Sequence, residues 1–298
     1  MNNHTNLKIL FVVNPMSGNA LTDDYRSIIS ETAEKFNFQW KVFETTGEDD
    51  PNKIRSQIND FEPQKVIAAG GDGTVNMVAV ELLGTDIELG IIPSGSANGL
   101  AYNLGIPEKF RRALNFNLEN PANPMDVIKI NDRFYCLHLS DVGINARIVK
   151  RFEKEGSKGL IGYGKQLFKE LMEGKTYFPF YIEIPGQRRK KMKTEMLVIA
   201  NAQSFGTGAI INSTGKIDDG KFEIVIIRPY PWWFVFTFIF AAFTGSLHHM
   251  KYVKVYSTDK ATISLPASHE CQVDGEIIPE TTSLKIEIMH HAIKVCGV

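Results

Sequence analysis

Four apolar runs in the first half of the chain alternate with segments whose apolar residues recur at helical spacing. Thr22, Asp23 and Asp24 predict the start of one helix, which continues to about Phe36, and Asp50 followed by proline predicts the start of another. Strands this apolar, connected by helices, predict a parallel sheet with both faces covered. The apolar runs are KILFVV (8–13), FQWKVFE (38–44), KVIAA (65–69) and LGIIP (89–93).

The second half has a different period, with apolar and polar residues alternating over short segments that predict antiparallel strands. The joint lies near ENPANPMD (119–126), which has two prolines and no periodicity. We therefore predict an α/β domain over residues 1–125 and a mainly β, sandwich-like antiparallel domain over 126–298. The predicted strands are YFPFYIEI (177–184), KMKTEMLVIAN (191–201), KFEIVII (221–227), KVYST (254–258), ATISLP (261–266) and SLKIEIM (283–289).

Two segments of the second half have more than one interpretation. WWFVFTFIFAAF (232–243) is shorter than the roughly 20 residues of a spanning helix, so it is either a buried helix or one that meets a bilayer or an acyl chain. The basic segment RRKKMK (188–193) lies in a predicted hairpin, where it is either solvated or in contact with anionic lipid headgroups.

Charge and cysteine content narrow the class of protein. The formal net charge is -1, which argues against nucleic acid as the main partner, because such proteins usually carry a basic excess. The cysteines, Cys136, Cys271 and Cys296, have no metal-type spacing and indicate reduced thiols in a cytoplasmic protein. The chain's first apolar run is interpreted as a strand and not as a signal peptide.

The stretch GGDGTVN (70–76) places glycines, an aspartate and a helix start directly after a buried strand. Backbone amides and a helix N-terminus suit phosphate, and glycine permits a close approach of the ligand. Asp72 would repel phosphate unless a cation lies between them, so it fits a Mg²⁺-phosphate arrangement or a residue that handles a proton. The simpler alternative is a tight turn in which Asp72 caps the helix.

Two further glycine-rich loops follow predicted strands, NPMSGNA (14–20) and PSGSANG (93–99). Three such loops at equivalent ends of one parallel sheet converge on the place where α/β sheets bind ligands. They predict a nucleotide site. Near the C-terminus, VDGE (273–276) places two carboxylates around a glycine, which suits either a proton acceptor or a solvated turn.

Together these motifs resemble the diacylglycerol kinase catalytic family, which includes sphingosine, ceramide and bacterial lipid kinases. The resemblance covers nearly the whole chain and rests on NPMSG, GGDGTVN, PSGSANGLA, DDGKFE and VDGE, in family order. It implies that ATP and Mg²⁺ are required and that an NAD kinase-like nucleotide domain precedes the β-rich domain. The residues that it implies for ATP are Asn14, Ser17, Gly18, Thr46, Gly70, Gly71, Asp72, Gly73, Thr74, Asn76 and Ser96.

The resemblance also implies catalytic and metal residues. Glu276 corresponds to the proton acceptor, with Asp274 beside it, and Asp72 serves the phosphate side. A structural Mg²⁺ in the DDG turn would be held by Asp219 and by the carbonyls of Lys216 and Lys221, while Asp126 matches a carboxylate of the catalytic network.

The chain departs from the family pattern in three loops. Gly99 follows Asn98 where diacylglycerol kinases usually have aspartate, so one member of the carboxylate network is missing and diacylglycerol is in doubt as the substrate. The usual GGG is GTG at 206–208, and Ser213 replaces the usual proline before the DDG turn.

We therefore expect an ATP- and Mg²⁺-dependent lipid kinase that acts on diacylglycerol or a sphingoid-type lipid. Two alternatives stay open: a kinase for NAD or another soluble alcohol, and a non-catalytic protein that binds nucleotide or lipid. The expected partners are ATP and a lipid at the inner membrane face, without nucleic acid, and a homodimer is left open.

Overall fold

The computed structural model describes residues 7–17, 24–143, 177–204, 210–231 and 234–298. Two compact units are present, Met1–Met125 together with His291–Val298, and Asp126–His290. The sequence pattern assigned the C-terminal segment to the second domain. It lies in the first unit because Lys294 and Val295 pair in parallel with the strand at Glu88 and Leu89.

The first unit is a parallel sheet with helices in the connections, as the apolar runs predicted. The sheet order is β2-β1-β3-β4, and every pairing among these strands is parallel. Its elements are β1 (Lys8–Val13), α1 (Tyr25–Phe36), β2 (Gln39–Glu44), α2 (Asp50–Phe61), β3 (Lys65–Gly70), α3 (Asp72–Glu81), β4 (Glu88–Pro93), α4 (Gly99–Asn103) and α5 (Phe110–Glu119).

Two helix starts in this unit differ from the pattern. α3 has Gly71 as its N-cap and Asp72 as its first residue, so Asp72 is not the cap; the amide of Val75 donates to the carbonyl of Gly71 and closes the first turn. α2 has Asp49 as its N-cap, and Asp50 is the first helical residue, because the Asp50 carboxylate bonds to the preceding loop.

The second unit is built from antiparallel strands. Its central order is β12-β11-β10-β7-β13-β14, with β8 pairing β13 and β9. Its elements are β5 (Ala122–Ile130, which begins in the first unit), β6 (Phe134–Cys136), β7 (Leu139–Gly143), β8 (Phe178–Glu183), β9 (Lys190–Thr194), β10 (Met196–Ala200), β11 (Phe222–Ile227), α6 (Phe234–Thr244), a 3-10 helix (Leu247–His249), β12 (Val253–Thr258), β13 (Lys260–Val273) and β14 (Glu276–Cys296, which ends in the first unit).

Strands β10 and β11 bury side chains on both faces, and successive residues alternate between two hydrophobic clusters. Leu197 and Ile199 belong to one cluster, together with residues of β8 and β13. Val198 and Val225 belong to the other, which α6 covers with Ala241 and Ala242. The period of two along these strands is therefore matched by apolar partners on either side.

Helix α6 is only partly buried. Phe234 is 9% exposed and packs edge-on against Tyr252, whereas Phe240 is 70% exposed. One side of the helix is therefore core and the other carries an exposed ring, whose contact with a bilayer or an acyl chain stays a prediction. Trp232 and Trp233 lie outside the described residues, as do Gly206–Gly208. Within the described portion of the chain, no helix is both long enough and apolar enough to cross a membrane.

Candidate functional site

The three glycine-rich loops of the first unit meet beyond the carboxyl ends of β1, β3 and β4. The Asn14 amide donates to the Ala69 carbonyl at 2.9 Å, and the Asn14 side chain donates to Thr74 Oγ1 at 3.2 Å. The hydroxyl oxygens of Ser17 and Ser94 are 2.6 Å apart. Side chains far apart in sequence therefore form one polar edge, as the strand ends of a parallel sheet favour.

Glycine is required where two of these loops touch. A Cβ on Gly95 would lie 2.5 Å from the Cα of Gly71, and one on Gly71 would lie 3.2 Å from the Cα of Gly95. The side chain of Asn98 closes its own loop, since it accepts from the Gly95 amide and donates to the Gly95 carbonyl. Backbone packed this closely has no room for side chains at Gly71 and Gly95, which suits a close approach of a ligand.

Asp72 occupies the first position of α3, with Gly73, Thr74 and Asn76 in the following turn. One of its carboxylate oxygens accepts a long hydrogen bond, 3.4 Å, from the Leu100 amide at the start of α4. The partial positive charge of a helix N-terminus favours an anion here. The side chain is half-buried, so Asp72 remains accessible from solvent.

Thr46 lies past the end of β2 and is positioned by Asp50. The Asp50 carboxylate accepts hydrogen bonds from the amides of Thr46 and Gly47 and from the Thr46 hydroxyl. Burial opposes ionisation of Asp50, but these hydrogen bonds outweigh it, and the pKa of the carboxyl is lowered. The Thr45 amide donates to the Val13 carbonyl, so this loop is anchored to β1 next to Asn14.

Two ATP candidates are not placed at the loop contacts described above. Ser96 is exposed in the loop after β4, and Gly18 lies outside the described residues. Their assignment to ATP stays a prediction.

In the second unit, the VDGE motif forms the hairpin turn between β13 and β14. Asp274 and Gly275 have positive φ values of 47° and 89°, and Val273 pairs with Glu276. This is the geometry of a two-residue type I′ turn, for which Asp-Gly is a strongly preferred sequence. Glu276 is exposed at the first position of β14.

The two carboxylates of this turn have different surroundings. Asp274 is 6% exposed, and its oxygens accept from the amides of Leu137, His138 and Leu139 at 2.8 to 3.2 Å. The Cys136 thiol also donates to Asp274, and burial raises the pKa of that thiol well above its usual range, with a further contribution from the Asp274 charge. Asp274 is therefore held by the backbone, whereas Glu276 faces solvent.

A series of hydrogen bonds through buried polar side chains supports this turn. The Gly275 amide donates to Gln272 Oε1 at 2.6 Å, and Gln272 Nε2 donates to the carboxylate of Asp141. Asp141 is fully buried on β7. Sequence reasoning missed Gln272 and Asp141, although a charged residue within the apolar stretch LHLSDVG was a detectable signal.

The DDG turn lies against Asp126. One Asp126 oxygen accepts from the Gly220 amide at 2.6 Å, and the other lies 2.8 Å from Nδ1 of His290. The pattern had given His290 no role, because its separation from Asp126 along the chain hid their contact in space. Asp126 is fully buried, and its hydrogen bond with the Gly220 amide holds this turn in place.

The other predicted metal ligands lie on the surface of the same turn. Asp219 is exposed, and one of its oxygens accepts from the Lys221 amide at 3.1 Å. Lys216 and Lys221 are exposed as well, and Gly220, which lies between them in sequence, has a φ of 75°. Carboxylate and carbonyl oxygens are the hard ligands that Mg²⁺ prefers.

Comparison with known families matches both halves of the chain. Residues 8–130 match the model of the diacylglycerol kinase catalytic domain. Residues 140–297 match the YegS C-terminal NAD kinase beta sandwich-like domain.

Relatives of known name point in the same direction. A protein of Chromohalobacter salexigens named "Probable lipid kinase YegS-like" is 34% identical over 177 residues, covering 56% of this chain and 54% of the relative. One of the same name from Klebsiella pneumoniae is 31% identical over 166 residues, covering 55% and 56%. The chain thus aligns with only about half the length of the relatives it matches.

Solved structures resemble the fold over almost its full length. A Bacillus anthracis crystal structure described as a diacylglycerol kinase has a TM-score of 0.78 at 23% identity, covering 97% of this chain and 96% of its own. An NAD kinase from Archaeoglobus fulgidus in complex with ATP has a TM-score of 0.55 at 14% identity, covering 97% and 93%. At these identities, the likeness establishes the fold alone.

Proposed function

The chain belongs to the family that joins a diacylglycerol kinase catalytic domain to a YegS C-terminal domain, and from this premise we propose that it is a lipid kinase. It transfers the γ-phosphate of ATP to the hydroxyl group of a lipid. The observation that carries the proposal is the meeting of three glycine-rich loops in the first unit, through Asn14–Thr74, Ser17–Ser94 and Gly71–Gly95.

These loops suit the phosphates of ATP. Amides of the loop backbone and of the α3 N-terminus donate hydrogen bonds to phosphate oxygens, and the hydroxyls of Ser17 and Thr74 add further donors. Thr46, held by Asp50, contributes to the nucleotide from the end of β2. Catalysis of phosphoryl transfer consists mostly of such positioning and charge stabilisation.

Glu276 accepts the proton of the lipid hydroxyl. The hydroxyl oxygen forms a bond to the γ-phosphorus while the bond from that phosphorus to the β,γ-bridging oxygen breaks. ADP leaves with the bridging oxygen, and the hydroxyl proton moves to the Glu276 carboxylate. Exposure of Glu276 favours this role over Asp274, whose oxygens already accept several hydrogen bonds.

Mg²⁺ fits the donor set of this chain in two places. The exposed carboxylate of Asp219, with the carbonyls of Lys216 and Lys221, offers hard oxygen ligands for a structural ion. Asp72, beside the phosphate loops, suits an ion that accompanies ATP, and such an ion neutralises phosphate charge when bound. Asp126 supports the turn through the Gly220 amide, and its other oxygen lies against His290.

A lipid is favoured over NAD as the acceptor by the names of the relatives and by the exposed Phe240 of α6, which offers an apolar contact for acyl chains. The test is an acceptor panel of diacylglycerol, sphingoid base, ceramide, phosphatidylglycerol and NAD with labelled ATP. Label in one lipid class supports the proposal. Label only in NAD would replace it with the soluble-acceptor alternative, and binding of ATP with no labelled acceptor would leave the non-catalytic one.

A further inference from the structure

Two strands at the margins of the second unit carry cations packed against tyrosine rings. Arg189 Cζ lies 4.3 Å and Lys191 Nζ lies 5.7 Å from the ring centre of Tyr181, on the β8–β9 hairpin. On β12, the ring centre of Tyr256 lies 5.0 Å from Lys254 Nζ and also 5.0 Å from Lys190 Nζ of β9. Each ring is therefore flanked by two cations.

This part of the chain has a charge opposite to that of the remainder. Residues 177–193 contain five basic side chains and one acidic side chain, Glu183, which gives a net charge of +4. The whole chain has a net charge of -1, so the other residues together carry -5. Lys254 extends the positive region onto β12.

We propose that this region binds the anionic headgroups of a phospholipid bilayer. We call it the basic-aromatic strip, and it consists of Tyr181, Arg189, Lys190, Lys191, Lys254 and Tyr256. Cations close to an anionic membrane surface are attracted to it, and tyrosine rings suit the boundary between apolar and polar layers. The biological purpose of this contact rests on the proposed lipid kinase function, but binding itself requires no catalysis.

Protection of sheet edges explains only part of this arrangement. β9 pairs only with β8, and β12 only with β11, among the described strands, and lysine on an edge strand discourages pairing with another chain. Edge protection requires a charge on the strand, but it does not require cations from two different strands on one ring. Lys190 of β9 and Lys254 of β12 both lie over the Tyr256 ring, so cations from two strands meet at one place.

A bilayer fits the charge distribution better than a nucleic acid does. A long polyanion that wraps the protein would meet the acidic remainder of the chain, whereas a flat membrane needs to touch only one face. The strip also places its positive charges on the same unit as the exposed Phe240 of α6.

The test is binding of the full chain to phosphatidylcholine vesicles with and without about a quarter phosphatidylglycerol, since each cation near an anionic surface strengthens binding about fivefold. The triple variant Arg189→Gln, Lys191→Gln, Lys254→Gln is expected to bind the anionic vesicles about a hundredfold more weakly. Neutral vesicles are expected to show no such difference, and added salt is expected to weaken wild-type binding.

A matched control removes the same charge elsewhere. Lys35→Gln, Lys109→Gln and Arg112→Gln replace three exposed cations of the first unit. This control is expected to bind anionic vesicles within about twofold of wild type, because the proposal assigns the contact to the strip and not to the net charge of the chain. An equal loss in both triple variants would indicate a net-charge effect and overturn the assignment of the strip.

A gain of binding keeps the test independent of folding defects. Glu183 forms an ion pair with Arg189, with Oε1 of Glu183 3.1 Å from Nε of Arg189. Glu183→Gln therefore removes the acidic charge of the hairpin segment. It is expected to tighten binding to anionic vesicles about fivefold while the melting temperature stays close to that of wild type. A Glu183→Gln protein that binds no better, or a strip triple variant that keeps full vesicle binding, would overturn the proposal.

The same proteins are also mixed with double-stranded RNA as a polyanion probe. Tight binding to RNA that is lost in the strip triple variant, with no preference of wild type for anionic vesicles, would overturn the bilayer as occupant. These readouts do not depend on turnover, so a strip that binds vesicles stands even if no lipid acceptor is found.

Discussion

Asp72 lies where β3 passes into α3, at the point where the glycine-rich loops meet, so its charge is expected to act on the phosphate side of the reaction. Asp72→Asn keeps an oxygen that accepts from the Leu100 amide, and the fold is expected to be preserved. Turnover is expected to fall at least about a hundredfold, the scale for lost charge or proton handling. Kinetics and the melting temperature measured together test this. Near-normal turnover with an unchanged Mg²⁺ dependence would contradict it.

The two carboxylates of the VDGE turn are expected to separate into a structural and a chemical role. Asp274→Ala leaves the buried amides of Leu137, His138 and Leu139 without their charged acceptor, so the free energy of unfolding is expected to fall by about 3 kcal/mol or more. Glu276→Gln changes an exposed side chain, so stability is expected to change by less than about 0.5 kcal/mol while phosphate transfer is lost and ATP binding persists.

Denaturant unfolding and ATP titration of both variants test this division. If Glu276→Gln lost ATP affinity and rate together, Glu276 would serve the phosphate side. If Asp274→Ala kept its stability but lost transfer, Asp274 would be the better candidate for the base.

Site residues were detectable from the sequence where their signal is local. The glycine-rich loops and Asp-Gly at 274–275 are recognisable as short contiguous motifs, because the conformation of a turn depends on a few adjacent residues. Gln272 and Asp141 were missed because their contact joins β13 to β7 across many residues of chain. His290 was missed for the same reason, since Asp126 is its partner.

At the scale of elements, the DDG turn is expected to bind Mg²⁺ for structure. Asp219→Ala removes the exposed carboxylate of the turn, so activity is expected to fall and excess Mg²⁺ is expected to restore it in part, because the carbonyl ligands remain. Asp218→Ala is the matched control, since it removes the same charge from the neighbouring exposed residue. Equal effects of both changes, or no response to Mg²⁺, would count against the site.

Helix α6 is expected to have one structural side and one lipid-facing side. Phe234 packs against Tyr252, so Phe234→Ser is expected to cost several kcal/mol of stability, on the scale of about 3–5 kcal/mol for deleting a buried aromatic side chain. Phe240→Ser is expected to leave the melting temperature unchanged and to raise the apparent KM for lipid in vesicles, because Phe240 is exposed.

A short-chain, water-soluble lipid analogue separates these two effects. Phe240→Ser is expected to keep its activity on that analogue. Equal loss on vesicles and on the analogue would end the membrane interpretation of α6. Replacement of Trp232, Trp233 and Phe236 by serine is expected to weaken liposome binding and to raise the apparent KM for lipid in vesicles, while activity on the soluble analogue is largely spared.

Element types followed from periodicity, but some strand limits did not. The pattern predicted a short strand at ATISLP (261–266), whereas one strand, β13, runs from Lys260 to Val273 with register shifts between Ser264 and His269. Conversely, KMKTEMLVIAN is divided into β9 and β10 at Glu195, whose amide donates to the Ile227 carbonyl. Bulges and breaks of this kind depend on partner strands, which a single sequence does not display.

For the whole molecule, the α/β and mainly β halves were predictable, and the family comparison agrees with the fold class. The sequence pattern did not predict that His291–Val298 belongs to the first unit, because the pairing of Lys294 with Glu88 joins distant parts of the chain. Charge is distributed unevenly along the chain. The net charge of the whole chain is -1, whereas the segment 177–193 is positive. A total charge therefore could not exclude an anionic surface as a partner.

The proposed reaction is measured as phosphate transfer from γ-labelled ATP into extractable lipid, with ADP counted in the same reaction. Wild-type protein and Glu276→Gln are compared at equal ATP occupancy. The wild type is expected to form one labelled lipid molecule for each ADP, and Glu276→Gln is expected to bind ATP without labelling lipid. ADP formed without labelled lipid in the wild type, or equal labelling by Glu276→Gln, would contradict the proposed reaction.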